Sequence, residues 1–333
     1  MSPVPAGGSP VSCDKVSAAH FATQGGTVPL DPQAQAVLDF MADTGFTFEG
    51  LTAQELRERA NMAIPSPIEL HEITDSTIPG PAGDIPVRIY RPSAETGLPV
   101  VVFYHGGGWV IGDLESHDHA ARAIASKAEC VVVAVDYRLA PEAPFPAAVD
   151  DAWAALEHVA SHPDAYGIDP NRIAVAGDSA GGNLSAVVAV MAKDSEHVEL
   201  VQQVLIYPVV DGECDRSSMA DNAEGYMLTR SAMDWFHEQY ASDPADKADP
   251  RYSPVRADLS GVAPALVITA EYDPLRDQGN EYAVLLDEAG VDVVHTQYDG
   301  VIHGFFGMDA GIDKAAQAQD QVAEVLKRAF AGD

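Results

Sequence analysis

From Pro99 onward the chain alternates short, almost unbroken apolar runs with longer segments of helical periodicity, and few architectures accept that pattern. The runs are PVVVFY (99–104), CVVVAVDY (130–137), RIAVAGD (172–178), VQQVLIYP (201–208), PALVITAE (264–271) and VDVVHTQY (291–298). A strand with one face in water alternates polar and apolar residues, whereas consecutive Val and Ile suit a strand covered on both faces. Between the runs, HDHAARAIASKA (117–128), PAAVDDAWAALEHVASH (146–162) and AGGNLSAVVAVMAKD (180–194) carry apolar residues at helical spacing. Repeated βα units predict an α/β fold with a mainly parallel sheet and helices on both faces. Ahead of them, DPQAQAVLDFMADTG (31–45) and TAQELRERANM (52–62) read as helices. IELHEITDSTIPG (68–80) and DIPVRIYRP (84–92) read as strands joined by the turn-prone PGPAGD. The stretch from Tyr207 to Pro264 is too long for a simple crossover and includes a helical SAMDWFHEQYA (231–241). Insertions of that length are usually functional, often lids.

Two motifs sit where such strands end. Gly177-x-Ser179-x-Gly181 joins the strand RIAVAG to a helical run, the context a nucleophile elbow requires. The turn is sharp enough to need small neighbours, and the helix N-terminus below the serine favours developing negative charge. Alone the pentapeptide is weak: at these Gly and Ser frequencies roughly one random chain in eight would carry it. A His-Gly-Gly-Gly run, here at 105–108, would occur in roughly one in 170, and both motifs together in roughly one in a thousand.

The glycines are costly in conformational entropy unless a bare backbone is needed. Acyl transfer to a serine places negative charge on the former carbonyl oxygen, and fixed N–H donors aimed there lower the barrier by several kcal/mol. The expected donors are the backbone amides of Gly106 and Gly107, with Ala180 just after the nucleophile. His105 is expected to hold the loop, Gly108 to supply the bend and Trp109 to wall the pocket.

Eleven histidines compete for the role of base. In this kind of fold the order along the chain is serine, acid, histidine. After Ser179, His197 and His237 fall in helix-like or linker stretches and His295 lies inside a strand. His303, in YDGVIHGFF, occupies a loop shortly after the last strand and is the expected base. PALVITAEYDPLRDQG offers Glu271, Asp273 and Asp277 as the acid. Asp273 stands just past the strand and is preferred; Asp277, a helical turn on, is expected to brace the loop. ESHDH (115–119) holds two histidines and two acids but falls at a helix start, where Ser and Asp are ordinary caps, so no metal is expected. GDSAGGN lacks both the G-x-G-x-x-G spacing and a P-loop lysine, so no nucleotide cofactor is expected.

Composition sets the outer limits. With 47% apolar and 21% charged residues the balance is that of a globular protein. No run approaches the roughly 20 apolar residues of a membrane helix. The N-terminus lacks a basic start and an apolar core, reading as a loose Pro/Gly/Ser arm with no signal peptide. Three cysteines (Cys13, Cys130, Cys214) show no metal spacing, and Cys130 reads as a buried reduced thiol, which fits a cytoplasmic location. The formal charge of −32 argues against nucleic acid and anionic membranes as partners. It reads either as simple solubility or, with only six lysines, as adaptation to salt, because screening relieves self-repulsion.

Taken together, HGGGWVIGD, DYRLAPEAPFPAAVDD, AGDSAGGNL, YPVVD, GYMLTRSAMDWFHEQY, SPVRADLSGVAPALVITAEYDPLRDQG and IHGFF resemble, in order, the bacterial hormone-sensitive-lipase-like (family IV) esterases of the α/β-hydrolase fold. The resemblance runs from about Ile85 to Phe330. It implies an eight-stranded central sheet flanked by helices, with a helical cap. Its division would be an N-terminal arm and cap helices at 1–60, core at 61–210, a cap insertion at 211–245 and core again at 246–333. It also implies Ser179 as nucleophile, Asp273 as acid, His303 as base, and Gly106, Gly107 and Ala180 as oxyanion donors. Asp136 to Glu142 would be structural support. Trp109, Tyr207, Met227 and Leu228 would line the substrate pocket, with Trp235 at its entrance. The implied activity is hydrolysis of small-molecule short- to medium-chain acyl esters without a cofactor, and the resemblance admits a homodimer. Amide or peptide cleavage would use the same machinery. Plant gibberellin receptors share the fold but have lost the histidine base, which His303 retains here.

Overall fold

A computed structural model describes residues 28–45, 47–48, 50–61, 66–212 and 216–332. Most of the N-terminal arm, with Cys13 and Cys214, lies outside the described residues; Cys130 is buried and free.

Eight strands form one sheet: β1 (Glu72–Gly80), β2 (Gly83–Arg91), β3 (Leu98–Tyr104), β4 (Val131–Val135), β5 (Ile168–Asp178), β6 (Leu200–Ile206), β7 (Ala265–Tyr272) and β8 (Val293–Ile302). Their order is β1-β2-β4-β3-β5-β6-β7-β8. β1 and β2 form an antiparallel hairpin, β2 runs antiparallel to β4, and every later pairing is parallel. The chain leaves β3 on one side to build β4, then crosses back to build β5 on the other. That reversal opens a crevice beyond the carboxyl ends of β3 and β5.

The apolar runs are buried on both faces because successive side chains point opposite ways. Val100, Val102, Val133 and Val175 pack with α4 (Ala147–Ser161) and α6 (Ala180–Ala192). Val101, Val132, Ile206 and Ile268 pack with α3 (Asp118–Ala128) and α10 (Asp313–Ala331). Each such Val or Ile contributes about 1.5–3 kcal/mol when fully buried. α9 (Arg276–Glu288) covers the far end of the sheet beside α6, through Tyr282 and Leu286. A one-turn helix, α5 (Pro163–Tyr166), leads into β5. No described helix is long and apolar enough to cross a membrane.

A helical cap lies over the carboxyl ends of the strands. The segment between β6 and β7 contributes α7 (Ser217–Asp221) and α8 (Arg230–Tyr240). α8 starts at Thr229, whose side chain accepts from the Ala232 N–H. From the N-terminal side come α1 (Pro32–Thr44), capped by Asp31, and α2 (Ala53–Ala60), which opens with a Thr52/Glu55 capping box. Arg57 on α2 donates to the carbonyls of Val110 and Ala140 at 2.7 Å each and pairs with Glu142.

The structure extends β8 beyond the expected VDVVHTQY, through Asp299–Gly300 to Ile302. Asp-Gly is ordinarily a turn signal, but here the register shifts between the Ala270 and Tyr272 pairings and Gly300 takes φ +73°. The dipeptide is absorbed as a bulge. Glu271 secures it, accepting the Gly300 N–H at 2.7 Å, so this alternative acid is committed to the sheet. His303 therefore follows the strand directly.

Candidate active site

Ser179 directly follows β5 with φ +55° and ψ −116°, a conformation an L-residue adopts only under constraint. The constraint is steric. A Cβ on Gly181 would lie 1.9 Å from the Tyr104 carbonyl, and one on Gly177 would lie 2.3 Å from the Gly181 carbonyl. Only glycine lets β3, β5 and α6 approach so closely. The serine is thereby placed at the N-terminus of α6, with its N–H bonded to the Ile206 carbonyl at 2.8 Å.

His303 reaches it from β8, with Nε2 3.0 Å from Ser179 Oγ. Nδ1 of the same ring is 2.7 Å from Asp273 Oδ2. Asp273 is fully buried just past β7, and its other oxygen accepts the Leu275 N–H at 2.8 Å. The ring of Tyr207, itself at φ +36°, packs 4.6 Å from the imidazole. Asp277, the third acid considered, accepts the Ser218 N–H at 2.8 Å and ties α9 to the cap.

The glycine loop differs from expectation at one residue. The Gly106 N–H is already committed to Asp178 Oδ1 at 2.9 Å, so it is not a free donor, and Gly106 does not border the cavity. Gly107 (φ +117°) and Gly108 (φ +59°) do border it, and their N–H groups have no partner among the described residues. Ala180 is the first residue of α6, where a backbone N–H lacks an intrahelical partner. His105 is buried beneath the loop, stacked at 4.3 Å on Tyr137, with Nδ1 2.8 Å from the Gly106 carbonyl. Burial and the neighbouring His117 lower its pKa to about 4.

Ser179 and His303 open into a cavity of about 320 Å³. Trp109, Tyr207, Met227 and Leu228 all line it. Trp109 does more than form a wall: its indole stacks on Tyr240 of α8 at 4.3 Å, joining the loop to the cap. Trp235 is not in the lining. It packs on the ring of Phe236 at 5.2 Å, and Phe236 faces the cavity instead, tight against Gly108. Phe48, Asn61 and Met308 add walls to which no sequence motif points, and Met233, within the GYMLTRSAMDWFHEQY segment, lines the cavity beside them.

The ESHDH side chains diverge. Glu115 pairs with Arg88, Asp118 with Arg122, and His117 faces Asp178, while His119 is buried against Gly307. Among the described residues no three His, Cys, Asp or Glu side chains converge as a metal site would require. Asp136–Glu142 braces its surroundings: Tyr137 donates to the His105 carbonyl at 2.7 Å and Arg138 clamps the buried Asp151 at 2.7 Å. Burial and Asp113 push the Asp136 carboxyl up to about 6 against the pull of Arg88.

Comparison with known proteins places this geometry. Residues 101–307 match the Abhydrolase_3 family, of the alpha/beta hydrolase fold. The chain is 46% identical over 294 residues to the carboxylic ester hydrolase LipN of Mycobacterium tuberculosis, covering 84% of this chain and 77% of that protein. It is 42% identical over 249 residues to an ethyl acetate hydrolase of Pseudomonas putida, covering 73% and 78%. The solved structure of a hyperthermophilic esterase from Pyrobaculum calidifontis superposes with a TM-score of 0.86 at 45% identity, covering 90% of this chain and 98% of that one. The chain belongs to the α/β-hydrolase superfamily, among the carboxylic ester hydrolases related to the hormone-sensitive-lipase-like group.

Proposed function

We propose that the protein is a serine carboxylesterase acting on short- to medium-chain acyl esters through an acyl-enzyme on Ser179. The observation that carries this reading is the unbroken chain Ser179 Oγ–His303–Asp273, at 3.0 and 2.7 Å, opening on an apolar cavity. His303 Nε2 takes the serine proton as Oγ attacks the ester carbonyl. Asp273 holds the ring through Nδ1 and stabilises the imidazolium. The carbonyl oxygen becomes an oxyanion facing the amides of Gly107, Gly108 and Ala180, each such donor being worth roughly 3 kcal/mol of barrier. The alcohol leaves with the proton from His303. Water, deprotonated by the same ring, then releases the acid and restores the serine.

The cap in this reading takes in residues 1–60 and 211–245, from which Phe48, Arg59, Ala60, Met227, Leu228, Met233 and Phe236 line the cavity. Phe48, Leu228, Met233 and Phe236 would receive the apolar acyl or alcohol group. A cavity of about 320 Å³ suits small esters better than long-chain lipids. The similarity to an ethyl acetate hydrolase supports the same size class.

The test is hydrolysis of p-nitrophenyl esters from acetate to palmitate by the protein and its Ser179→Ala variant. The expected result is turnover greatest at short chains and a loss of at least about 10⁴-fold in kcat on removal of Oγ. A folded Ser179→Ala protein that keeps more than a few per cent of the activity would mean another nucleophile.

A further inference from the structure

The cavity contains a second imidazole–carboxylate contact that this mechanism leaves idle. Asp178 immediately precedes Ser179, and its Oδ1 accepts the Gly106 N–H at 2.9 Å while standing 3.5 Å from His117 Nε2. That Nε2 is also 3.3 Å from the Gly106 nitrogen. One N–H cannot serve both acceptors fully, and the carboxylate is nearer and charged. With the Gly106 N–H given to the carboxylate, the tautomer that carries its proton on Nε2 turns that proton toward Oδ1, where a lone pair would be repelled. The ring's Nδ1 is 3.0 Å from Ser116 Oγ. Ser116 is in turn locked to Asp113, by N–H donation at 2.7 Å one way and 2.9 Å the other. The imidazole is thus fixed from both sides.

This arrangement has a cost that catalysis must answer. Burial raises the Asp178 pKa, but His117, with His105 and His303, outweighs it and holds the carboxyl below its ordinary range. An ionised carboxylate then anchors the loop at Gly106, one residue before the amides assigned to the oxyanion. Anchoring helps, because the donors are preorganised, yet the same charge opposes the one that develops. Asp113 on the loop, His119 on α3 and Tyr137 stacked on His105 are further ionisable groups around this pair.

We infer that His117 and Asp178 form a positioning pair for acyl transfer, in which Asp178 fixes the oxyanion loop through Gly106 and His117 draws the carboxylate's charge away from the oxyanion. The inference rests on the serine-esterase reading. It predicts that His117 is needed only while Asp178 is charged.

The experiment is a double-mutant cycle on p-nitrophenyl butyrate, with thermal melts for each variant. His117→Gln is expected to lower kcat about thirtyfold, with KM changed less than about threefold, because only the transition state carries the charge. Asp178→Asn, whose Oδ1 still accepts from Gly106, should stay within about fivefold of the parent, and the double variant should return to that level. A His117→Gln kcat equal to the parent's, a loss confined to KM, or a loss undiminished in the double variant would overturn the proposal. Should His117→Gln not fold, Asp178→Asn is read against Asp178→Ala: a loss only in the alanine variant supports the pair, and equal losses refute it. Failure of the esterase reading shows separately, as turnover that survives Ser179→Ala or as no labelling of Ser179 by a phosphonate in the parent protein.

Discussion

Ser179 and Phe236 face one cavity from two kinds of wall. On the serine side the geometry is backbone geometry: strand ends, glycines without room for a Cβ, and a residue held at φ +55°. On the Phe236 side it is side-chain geometry. Phe48 comes from the N-terminal side of the chain, Leu228, Met233 and Phe236 from α8 and the turn before it, and the two segments meet through packing. The first wall cannot change by increments, because carbonyls and amides cannot shrink. The second can be repacked one methyl group at a time. In the proposed reading, reaction type is fixed by one wall while substrate size is set by the other.

The contrast is broken most severely at Gly181. A Cβ there would lie 1.9 Å from the Tyr104 carbonyl, backbone against backbone. Gly181→Ala is expected to cost at least about 3 kcal/mol in denaturant unfolding, and to abolish esterase activity in whatever remains folded. An unchanged midpoint would show that the serine side is softer than its geometry implies.

Acid titration compares the walls next. Burial lowers the pKa of His105, under the glycine loop, and of His237, in the cap, each to about 4. Unfolded, both rings would take a proton near pH 6.5; folded, they resist until about 4. Protons therefore favour the unfolded chain, and the stability these rings contribute, full above pH 6.5, is lost as pH falls toward 4. Between pH 7 and 5 each should remove about 2 kcal/mol. In His237→Phe the pH-dependent loss should shrink by about that amount, as measured by urea unfolding at both pH values. A loss as large as the parent's would mean that the cap histidine does not stay neutral.

The smallest effect is expected at the cap surface. Phe236→Leu should leave kcat/KM on p-nitrophenyl acetate within about threefold and raise the preference for octanoate over butyrate about tenfold. An equal fall on all chain lengths would mean that Phe236 acts through Gly108, against which it packs, and would erase the distinction between the walls.

The same division explains what the sequence allowed to be read. Ser179 stood out through its small neighbours Gly177 and Gly181, and Asp273 and His303 through chain order and their places just past a strand; His303 lies within hydrogen-bond reach of the other two. The identity of the free loop amides was not legible. His-Gly-Gly-Gly does not say which N–H points into the cavity, and the carboxylate that claims Gly106 lies 72 residues further on. Trp235 and Phe236 are adjacent on a helix, so about 100° of rotation separates the side chain that faces the cavity from the one that does not. Packing decides between them. Phe48 and Asn61 border the cavity from beside α2, with no motif to announce them.

The bulge at Gly300 has a consequence for how such a site can vary. His303 is carried on a strand whose side chains alternate between opposite faces, so its reach toward Ser179 is set in whole residues. Between the Ala270–Tyr298 and Tyr272–Ile302 pairings β8 advances four residues while β7 advances two, so two extra residues around Asp299–Gly300 set how far along β8 the imidazole is presented. Deleting just one of the two would turn the ring to the other side of the sheet, whatever became of the serine and aspartate. Hence drift in this chain is free to change what the cap encloses, but the approach of the histidine can move only by quantised steps.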